Sequence, residues 1–519
     1  MNIGFVNIYS YRPHVEHLYF LAHTMQQGGA SIFALTCDGS FNSCYSKILK
    51  EKSCLTECSK CIIGGVRSFP FHNISSIKKI TSSQLLSDDE LEYNLSSSAA
   101  TLTRIACEND LNDSQLKNIR TQLKSNAFAT FHSTVRWIED NKLDAVICFN
   151  GRIDMTRMIT LACERLGIPY ITHERTWFGH GIQLIPNGNC LSLMPINQLT
   201  SSYENKPLLP HQADLAGDLL ARRFLKSNDL EWRVYNRVAE KAVWPTSYSG
   251  ERILLLPSSW NEFAMHPEWK TEWKDPLDAL DAFFETYQAS TNQIVLRCHP
   301  NWAENIGRID GNKISKHYLD WAKKRGIYCI APDQKVDTYD LIQEADTVVL
   351  NGGSSAIEAA ACGKTVFNLG HMTYESAKFC HSMTSYSDFT TAISNSKLLT
   401  AEDRHRSNLR YIYTHAARYP QFTNHVRAIS TTQYKYYDGV DHQKLFDIIK
   451  SGQLKADDPT FSDTDTHENV LIEKLMARDW KSMIVNTIQD SNTQLLAIQR
   501  RASMLWVDRV RKLMPLGDR

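Results

Sequence analysis

Two basic side chains stand at the end of an apolar run in "QIVLRCHPN", residues 293–301. Arg297 and His299 are two positions apart, so in a strand their side chains point to the same side. A guanidinium holds phosphate oxygens as a charged fork, and a protonated imidazole donates to an oxygen that gains charge. The pair therefore predicts contact with an anionic leaving group. The structural alternative is that Arg297 pairs with a carboxylate while His299 bonds to backbone.

A second candidate site lies in "VVLNGGSSAIEAAACGK", residues 348–364. An apolar strand ends at Asn351, and two glycines then allow a tight turn and a close approach by a ligand. Ser354 and Ser355 offer hydroxyl and backbone N–H groups at the start of a helix, where anions bind readily. The segment therefore predicts a strand–turn–helix whose turn holds a phosphate.

Glu358 lies one turn inside that predicted helix, and its role has two interpretations. Ser355 and Glu358 have the spacing of a capping box, in which each side chain satisfies the other's backbone. Alternatively, Glu358 faces the ligand and accepts hydrogen bonds from a ribose. The residues alone leave both open.

These motifs, taken together, resemble the bacterial capsular polysaccharide biosynthesis family. That family includes the Kdo transferases of capsule and lipopolysaccharide assembly and, more distantly, the bacterial polysialyltransferases. The resemblance covers about residues 250–380. The matching pairs are His299-Pro300, Ser354-Ser355, Glu358-Ala359 and Gly363-Lys364.

The resemblance implies a GT-B fold and a glycosyltransferase that uses a nucleotide-sugar, often CMP-linked, bound mainly by the second domain. It implies transfer of a sugar such as Kdo to a glycan or lipid-linked acceptor. By position, His299 and the two serines would contact the donor phosphate. The full set of predicted donor-binding residues is Ser258, Arg297, His299, Asn351, Ser354, Ser355 and Glu358.

Two strand-end loops in the first half could supply a catalytic carboxylate. They are "CFNGRIDMTR", with Asp154, and "ITHERTWFGHGI", with Glu174. By analogy with the polysialyltransferase-like relatives, Glu174 is the first choice of base and Asp154 the second. Asn150, Arg152 and Arg175 are predicted to contact the acceptor. An inverting enzyme needs a base and a retaining one could use a nucleophile; the alternative is that Glu174 forms a structural ion pair.

Thirteen cysteines in a chain expected in the cytoplasm argue against a disulfide scaffold. One cluster could form a structural zinc site, although its spacing fits no standard zinc module. Its predicted ligands are Cys37, Cys44, Cys58 and Cys61. The alternative is a cysteine-rich loop without metal. No Asp-x-Asp pair follows a strand, so we expect no cofactor requirement for catalysis.

The elements that must position these residues alternate between strands and helices in both halves of the chain. We predict two Rossmann-like α/β domains facing a cleft, an acceptor domain over 1–245 and a donor domain over 246–440. Residues 201–245 are expected to connect them, and the polar, Ser-rich stretch around 72–100 to form a surface excursion. A polar linker and an amphipathic helical tail are predicted for 441–519.

The predicted tail helix covers residues 466–514 and carries a basic amphipathic end. Its apolar residues, at three- and four-residue spacings, are Leu495, Ile498, Ala502 and Leu505. The surrounding basic residues are Arg500, Arg501, Arg509, Arg511 and Lys512. Such a helix could rest on an anionic membrane surface, here the inner membrane. It could equally pack on the protein's own body or on a second subunit.

Composition limits the partners. Lys plus Arg and Asp plus Glu both total 57, so charge gives no sign of nucleic-acid binding. No apolar run reaches the length of about 20 residues that spans a membrane, and we expect the protein in the cytoplasm. Rival functions are a glycerol- or ribitol-phosphate transferase of wall or capsule polymers, a sugar-nucleotide epimerase, and a non-catalytic polysaccharide-binding or export scaffold.

Overall fold

A computed structural model describes residues 1–78, 86–231, 235–248, 250–305, 311–485 and 494–512. Within these ranges the first half of the chain forms a six-stranded sheet in the order β3-β2-β1-β4-β5-β6. Its strands are β1 Asn2–Asn7, β2 Ser31–Cys37, β3 Ile74–Ile77, β4 Ala145–Phe149, β5 Tyr170–Arg175 and β6 Ile182–Pro186. All neighbours pair in parallel except β5 and β6.

Helices cover both faces of the first sheet, which explains why β4 is buried along its whole length. In chain order they are α1 His14–Gln27, α2 Tyr45–Lys50, α3 Cys54–Gly64, α4 Asp88–Thr103, α5 Ser114–Asn141 and α6 Asp154–Leu166. The predicted surface excursion is wrong over α4. Leu91, Leu95, Ala99 and Leu102 recur at helical spacing on this helix and are buried in the core of the first sheet.

Two helices then lead to a second sheet: α7 Met194–Tyr203 and α8 Pro210–Phe224. The described strands of that sheet are parallel and lie in the order β12-β11-β10-β7-β8-β9. They are β7 Ile253–Leu256, β8 Ile294–Arg297, β9 Tyr328–Ile330, β10 Thr347–Leu350, β11 Thr365–Leu369 and β12 His381–Met383. Their helices are α9 Pro276–Tyr287, α10 Asn312–Arg325, α11 Thr338–Glu344, α12 Ser355–Ala361 and α13 Asp388–Ser396.

The chain then returns to the first domain. α14 Ala401–Tyr413 continues into a π-helical turn, Thr414–Arg418, and β13 Val426–Ala428, β14 Tyr434–Tyr437 and α15 Gln443–Ser451 follow. Phe422, Tyr436 and Ile448 pack in one core with α1 and β1. α8, by contrast, packs with the core of the second sheet. The predicted boundaries at 245 and 440 assign α8 to the first domain and Phe422 and Tyr436 to the second. Packing places each of them with the other domain.

The predicted continuous tail helix over 466–514 is wrong in the described residues. Only α16 Thr466–Met476 and α17 Leu505–Lys512 are α-helical there, because β15, Leu495–Leu496, pairs with β14 instead. The apolar residues chosen from helical spacing therefore do not share one helix. Arg501 lies against the protein itself, its Nε donating to the carbonyl of Phe69 at 2.7 Å. None of the helices in the described ranges has the length and apolar character that a membrane span requires.

Candidate active site

A cavity of about 530 Å³ lies between the two sheets, at the loops that follow their strands. Its volume falls in the range of about 300–1,000 Å³ that small-molecule sites occupy. Residues of the first domain on its wall include Tyr45, Arg104, Arg152 and Trp177. Residues from the second half of the chain include Ser258, Arg297, His299, Ser354, Ser355 and Glu358. The cleft therefore brings together most of the residues predicted to bind the donor.

His299 begins a short 3-10 helix, Pro300–Ala303, directly after β8. Its Nδ1 accepts a hydrogen bond from the backbone N–H of Asn301 at 3.2 Å. Because Nδ1 is an acceptor, the proton of the neutral ring lies on Nε2. His299 is thus held by backbone, as the structural alternative expected, while its side chain also lines the cavity.

Arg297 and Arg152 bring positive charge to the cavity wall, and neither forms a salt bridge with a carboxylate in the described part of the chain. Arg297 is 4 % exposed, and its two Nη atoms donate to the carbonyls of Ala331 and Gln334 at 2.6 and 2.9 Å. Arg152 Nη1 donates to the hydroxyls of Ser97 and Thr101 at 2.9 and 3.0 Å. These hydrogen-bond partners are uncharged, and the carboxylates that act electrostatically on the two guanidiniums, Glu174 on Arg152 and Asp333 on Arg297, do so without a salt bridge. A buried charge is costly without a counter-charge, which an anionic ligand would supply.

Arg104 connects the first domain to the loop that carries His299. Its Nη1 donates to the carbonyl of Glu304 at 2.6 Å, and its Nη2 to that of Asn301 at 3.1 Å. The side chain of Asn301 in turn bonds to the hydroxyl of Ser259. Arg104 also lines the cavity, so the first domain contributes a second guanidinium to its wall besides Arg152.

The glycine turn between β10 and α12 has the conformation predicted from its sequence. Gly352 and Gly353 have φ values of +110° and +98°, which side-chain-bearing residues rarely adopt. The turn is fixed by a 2.7 Å hydrogen bond from the Gly352 N–H to the side-chain oxygen of Asn368. Ser354 and Ser355 follow it on the cavity wall.

Asn351 supports the site rather than lining the cavity. Its Oδ1 accepts from the backbone N–H of Ser258 at 2.6 Å, and its Nδ2 donates to the hydroxyl of Tyr318 at 2.7 Å. Both ends of the side chain are therefore occupied within the protein. The hydrogen bond from Ser258 to Asn351 holds the backbone of Ser258, which does line the cavity.

Glu358 does not form the capping box that its spacing allowed. It is 1 % exposed, and its Oε1 accepts from Nη1 of Arg223 at 2.7 Å. Arg223 also donates to both carboxylate oxygens of Glu231, at 3.1 and 2.6 Å. Burial alone would lower the pKa of Arg223, but the two carboxylates raise it. Arg223, Glu231 and Glu358 thus form a buried triad at the cavity wall in which two carboxylates share one guanidinium.

Glu174, the predicted base, lies at the end of β5 outside the described wall of the large cavity. Its Oε2 accepts from Nδ2 of Asn150 at 3.2 Å, and its Oε1 lies 3.2 Å from Nε2 of His14. Burial raises the pKa of Glu174 and lowers that of His14 to about 3, so His14 is neutral near pH 7. The Oδ1 of Asn150 accepts from the backbone N–H of Arg152 at 3.1 Å, which connects Glu174 to the cleft.

Asp154, the second choice of base, is at the start of α6 and is 0 % exposed. Its carboxylate accepts from the hydroxyl of Tyr9 and, at 3.0 Å, from the backbone N–H of Tyr45. Both oxygens are thus bonded inside the first domain. This placement suits a structural role rather than contact with a substrate.

A second cavity, of about 230 Å³, adjoins the cleft and shares Trp177 with its wall. Aromatic side chains on its wall include Trp177, Trp269 and Tyr419, and Arg175 contributes a cation. Cys190 also lines it and accepts from Nδ2 of Asn150 at 3.0 Å, the same amide that contacts Glu174. The second cavity therefore lies next to the candidate base.

The four predicted zinc ligands line one small apolar pocket of about 30 Å³. No three of their sulfur atoms, all in described residues, come within 4.8 Å of one another. Zinc binding at Cys37, Cys44, Cys58 and Cys61 stays a prediction.

Sequence reasoning missed Arg104, Arg223 and Glu231, each of which lines the cleft. Arg104 had a weak signal, because it stands alone in the otherwise uncharged "ATLTRIAC". Arg223 had none, since "LLARRF" reads as an ordinary helix end. These residues reach the cavity only through the packing of α4 and α8.

No protein-family model matches the chain, and no curated protein matches it. Solved structures with some similarity include a UDP-GlcNAc 2-epimerase from Neisseria meningitidis bound to UDP-GlcNAc, with 11% identity over 80% of this chain and 96% of that one, at a TM-score of 0.28. A β-Kdo 2,4 transferase, KpsC, from Thermosulfurimonas dismutans has 15% identity over 64% of this chain and 87% of that one, at a TM-score of 0.33. The β-Kdo 2,7 transferase of KpsC from the same organism has 12% identity over 67% of this chain and 89% of that one, at a TM-score of 0.35.

Similarity at this level does not extend to function, and the fold assignment rests on the chain's own architecture. Two parallel sheets, each flanked by helices, face one another across a cavity lined by both. This arrangement defines the GT-B class of α/β proteins, as predicted from the sequence.

Proposed function

We propose that the protein is a glycosyltransferase that uses a nucleotide-sugar donor to build a bacterial cell-surface polysaccharide. The observation that carries the proposal is the buried guanidinium of Arg297, which hydrogen-bonds to two backbone carbonyls, forms no salt bridge within the described ranges and lies on the same cavity wall as His299. Arg104 and Arg152 add two further guanidiniums from the first domain. Three cations and an imidazole in one cleft suit the phosphate of a leaving nucleotide.

In the donor half-reaction, the bond between the sugar and the phosphate breaks and negative charge develops on the phosphate. Arg297 and the first-domain arginines offset that charge, while Nε2 of His299 donates a hydrogen bond to the departing oxygen. We propose that the carboxylate of Glu358 accepts a hydrogen bond from a ribose hydroxyl. Because cationic side chains perform this work, we propose that no metal ion is required for catalysis.

In the acceptor half-reaction, we propose that the acceptor sugar enters the second cavity and stacks on its aromatic walls. Glu174 then takes the proton of the attacking hydroxyl. Its raised pKa suits a base working near neutral pH, and Asn150 keeps the carboxylate oriented. Arg175, on the same cavity wall, could pair with an acidic group of the acceptor.

The finer assignment follows the sequence resemblance: a CMP-linked donor, a sugar such as Kdo, and a capsule or lipopolysaccharide product. The test is a thermal-shift screen of CMP-, UDP-, GDP- and CDP-linked donors, with and without EDTA, followed by an assay of donor hydrolysis. We expect one nucleotide to stabilise the protein and its donor to be hydrolysed slowly without acceptor. If no nucleotide shifts the melting temperature, the donor-site assignment fails.

We also propose contact with the inner membrane through α17, where Trp506 and Val510 are exposed beside Arg509. Liposomes with anionic headgroups should sediment the parent protein. A Trp506→Ala, Val510→Ala variant should stay in the supernatant, whereas Leu495→Ala, at an exposed leucine of β15, should not change sedimentation. Equal sedimentation of all three proteins would reject this role for α17.

A further inference from the structure

A group of metal-ligating side chains lies outside the cleft, where the two domains meet. The ligand atoms of Cys107, Asp275 and His317 all lie within 4.8 Å of one another. Cys107 follows α4 of the first domain, Asp275 precedes α9, and His317 lies in α10 of the second domain. We propose that these three residues form a zinc-binding site that joins the two domains.

The contacts around this group hold it together across the domain boundary. Nε2 of His317 lies 3.0 Å from Oδ1 of Asp275. The backbone N–H of Glu108 donates to the carbonyl of Lys274 at 2.9 Å, which fixes the residues next to Cys107 and Asp275 against each other. Ala106 belongs to the hydrophobic core of the second domain. The three side chains are therefore neighbours because of a packed interface, not because of a chance surface encounter.

The chemistry of the ligand set favours zinc among the common divalent ions. A thiolate, an imidazole and a carboxylate together are typical of Zn²⁺, whereas Mg²⁺ and Ca²⁺ prefer oxygen ligands alone. Zinc–ligand bonds of about 2.0–2.3 Å at tetrahedral angles place ligand atoms about 3.3–3.6 Å apart, so only small side-chain shifts are needed. On binding, the thiol of Cys107 releases its proton to solvent, and water completes the tetrahedron.

The degree of burial also suits such a site. Cys107 is 6 % exposed, while the side chains of His317 and Asp275 are 27 and 17 % exposed. Zinc would enter from the side of the imidazole and carboxylate and meet the thiolate at the bottom. Asp110 lies nearby, with its Oδ2 accepting from the N–H of Ala106, but Lys313, 3.3 Å from its Oδ1, offsets its charge.

The site has a consequence for the cleft, because Cys107 is three residues from Arg104. Arg104 bonds to the carbonyls of Asn301 and Glu304 in the loop that carries His299. Bound zinc would hold this connection in place by preventing Cys107 from moving away from α9 and α10. The inference itself does not depend on the proposed glycosyltransferase activity.

The test is a titration of the reduced full-length protein with Co²⁺, a spectroscopic substitute for zinc, followed by competition with Zn²⁺; parent and variants all carry Cys58→Ser and Cys61→Ser, which remove two ligands of the other predicted zinc site. We expect a near-ultraviolet thiolate-to-cobalt charge-transfer band and visible bands of tetrahedral cobalt in the parent protein. Cys107→Ser should remove that charge-transfer band, and His317→Gln should weaken Zn²⁺ binding at least tenfold. His371→Gln is the matched control, since His371 also pairs with a carboxylate at 3.0 Å, in the second domain.

Circular dichroism checks that each variant is folded. Because His317 is more exposed than Cys107, His317→Gln should disturb the fold less than Cys107→Ser does. Zn²⁺ should raise the melting temperature of the parent and of His371→Gln but not of His317→Gln. A charge-transfer band that persists in Cys107→Ser would assign the thiolate to other cysteines and overturn the proposal. So would equal Zn²⁺ affinities for the parent and His317→Gln, or no metal binding by the parent.

Discussion

His299 uses its two ring nitrogens for different purposes. Nδ1 caps a short helix by accepting from Asn301, so the proton of the neutral ring lies on Nε2. His266 has the same local arrangement, with Nδ1 accepting from the N–H of Glu268 at 3.3 Å and a proline between them. The chain thus contains a matched pair of His-Pro turns, only one of which lies on the wall of the large cavity.

We predict that His299→Asn weakens nucleotide binding by roughly 10- to 100-fold. The Asn side chain can keep the helix cap through Oδ1 but removes the Nε2 donor, and a hydrogen bond to a charged group contributes about 1.5–3 kcal/mol. Isothermal titration with the nucleotide found in the donor screen measures the effect. His266→Asn should bind as the parent does. Equal losses in both variants would mean that the turn matters and the imidazole does not.

For Glu174, we predict that Glu174→Gln lowers the transfer rate by about 10²- to 10⁴-fold while leaving nucleotide binding intact. A base must be deprotonated, so the parent's rate should rise with pH through the pKa of Glu174. Burial raises that pKa, which places this limb above the range of an ordinary glutamate. Rate measurements from pH 4 to 8 test the prediction. A variant that keeps the same acid limb would assign the limb to another group.

At the scale of single residues, the sequence was informative about cavity-lining residues that directly follow a strand. Arg297, His299 and Ser354 could be predicted because each stands at a local pattern of apolar run, breaker and helix start. Arg223 and Arg104 could not, because nothing near them in the chain shows which cavity their helices will face. Glu358 was found, but its partner was not, since an ion pair between residues 135 positions apart depends on tertiary packing.

At the scale of elements, the turn from β10 into α12 positions the predicted phosphate site. We predict that Gly353→Ala destabilises the protein by about 1–3 kcal/mol, because alanine is strained at a φ of +98°. It should also weaken nucleotide binding, since Gly353 lines the cavity. Urea denaturation and nucleotide titration measure the two effects separately.

Gly326 is the control for that substitution, because its φ is +68° and a Cβ there would meet nothing within 4 Å. Gly326→Ala should cost about 1 kcal/mol of stability and leave nucleotide affinity unchanged. Were Gly353→Ala to bind nucleotide as tightly as Gly326→Ala, the turn would not belong to the donor site.

α8 and α12 are joined through Arg223, Glu231 and Glu358. We predict that Arg223→Met lowers the free energy of unfolding by about 3–5 kcal/mol, because it leaves two buried carboxylates without a cation. Their pKa values in the folded variant should rise, so the folded state binds protons that the unfolded state releases. Stability of the variant should therefore improve as pH falls from about 8 to 5.

The neighbouring residue provides the control. Arg222 pairs with Asp218 at 2.6 Å on the surface, and its side chain is 34 % exposed. Arg222→Met should cost less than about 1 kcal/mol and show the pH dependence of the parent. Urea denaturation at several pH values distinguishes the two. Similar behaviour of both variants would mean that the buried triad does not stabilise the contact between α8 and α12.

At the scale of the whole molecule, the alternation of strands and helices in two α/β domains could be predicted from the sequence. Parallel strands that are buried on both faces appear in a sequence as continuous apolar runs. β8 and β10, predicted from the apolar runs that precede His299 and Asn351, are present. β3, β6 and β12 escaped prediction because they lie at or near sheet edges and carry polar residues. The path of the C-terminal segment was also missed, since its docking depends on a surface made by α1, far away in sequence.

That docking has a consequence for how the chain matures on the ribosome. The first sheet is synthesised early, but Phe20, Leu21 and their neighbours on α1 share their core with Phe422, Val426 and Ile448. Until residues 421–451 emerge, this apolar face has no cover and is open to chaperones or to aggregation. The first domain is therefore completed only after residue 451 has been synthesised, and we expect a chain stopped at residue 245 to aggregate and to be incompletely folded.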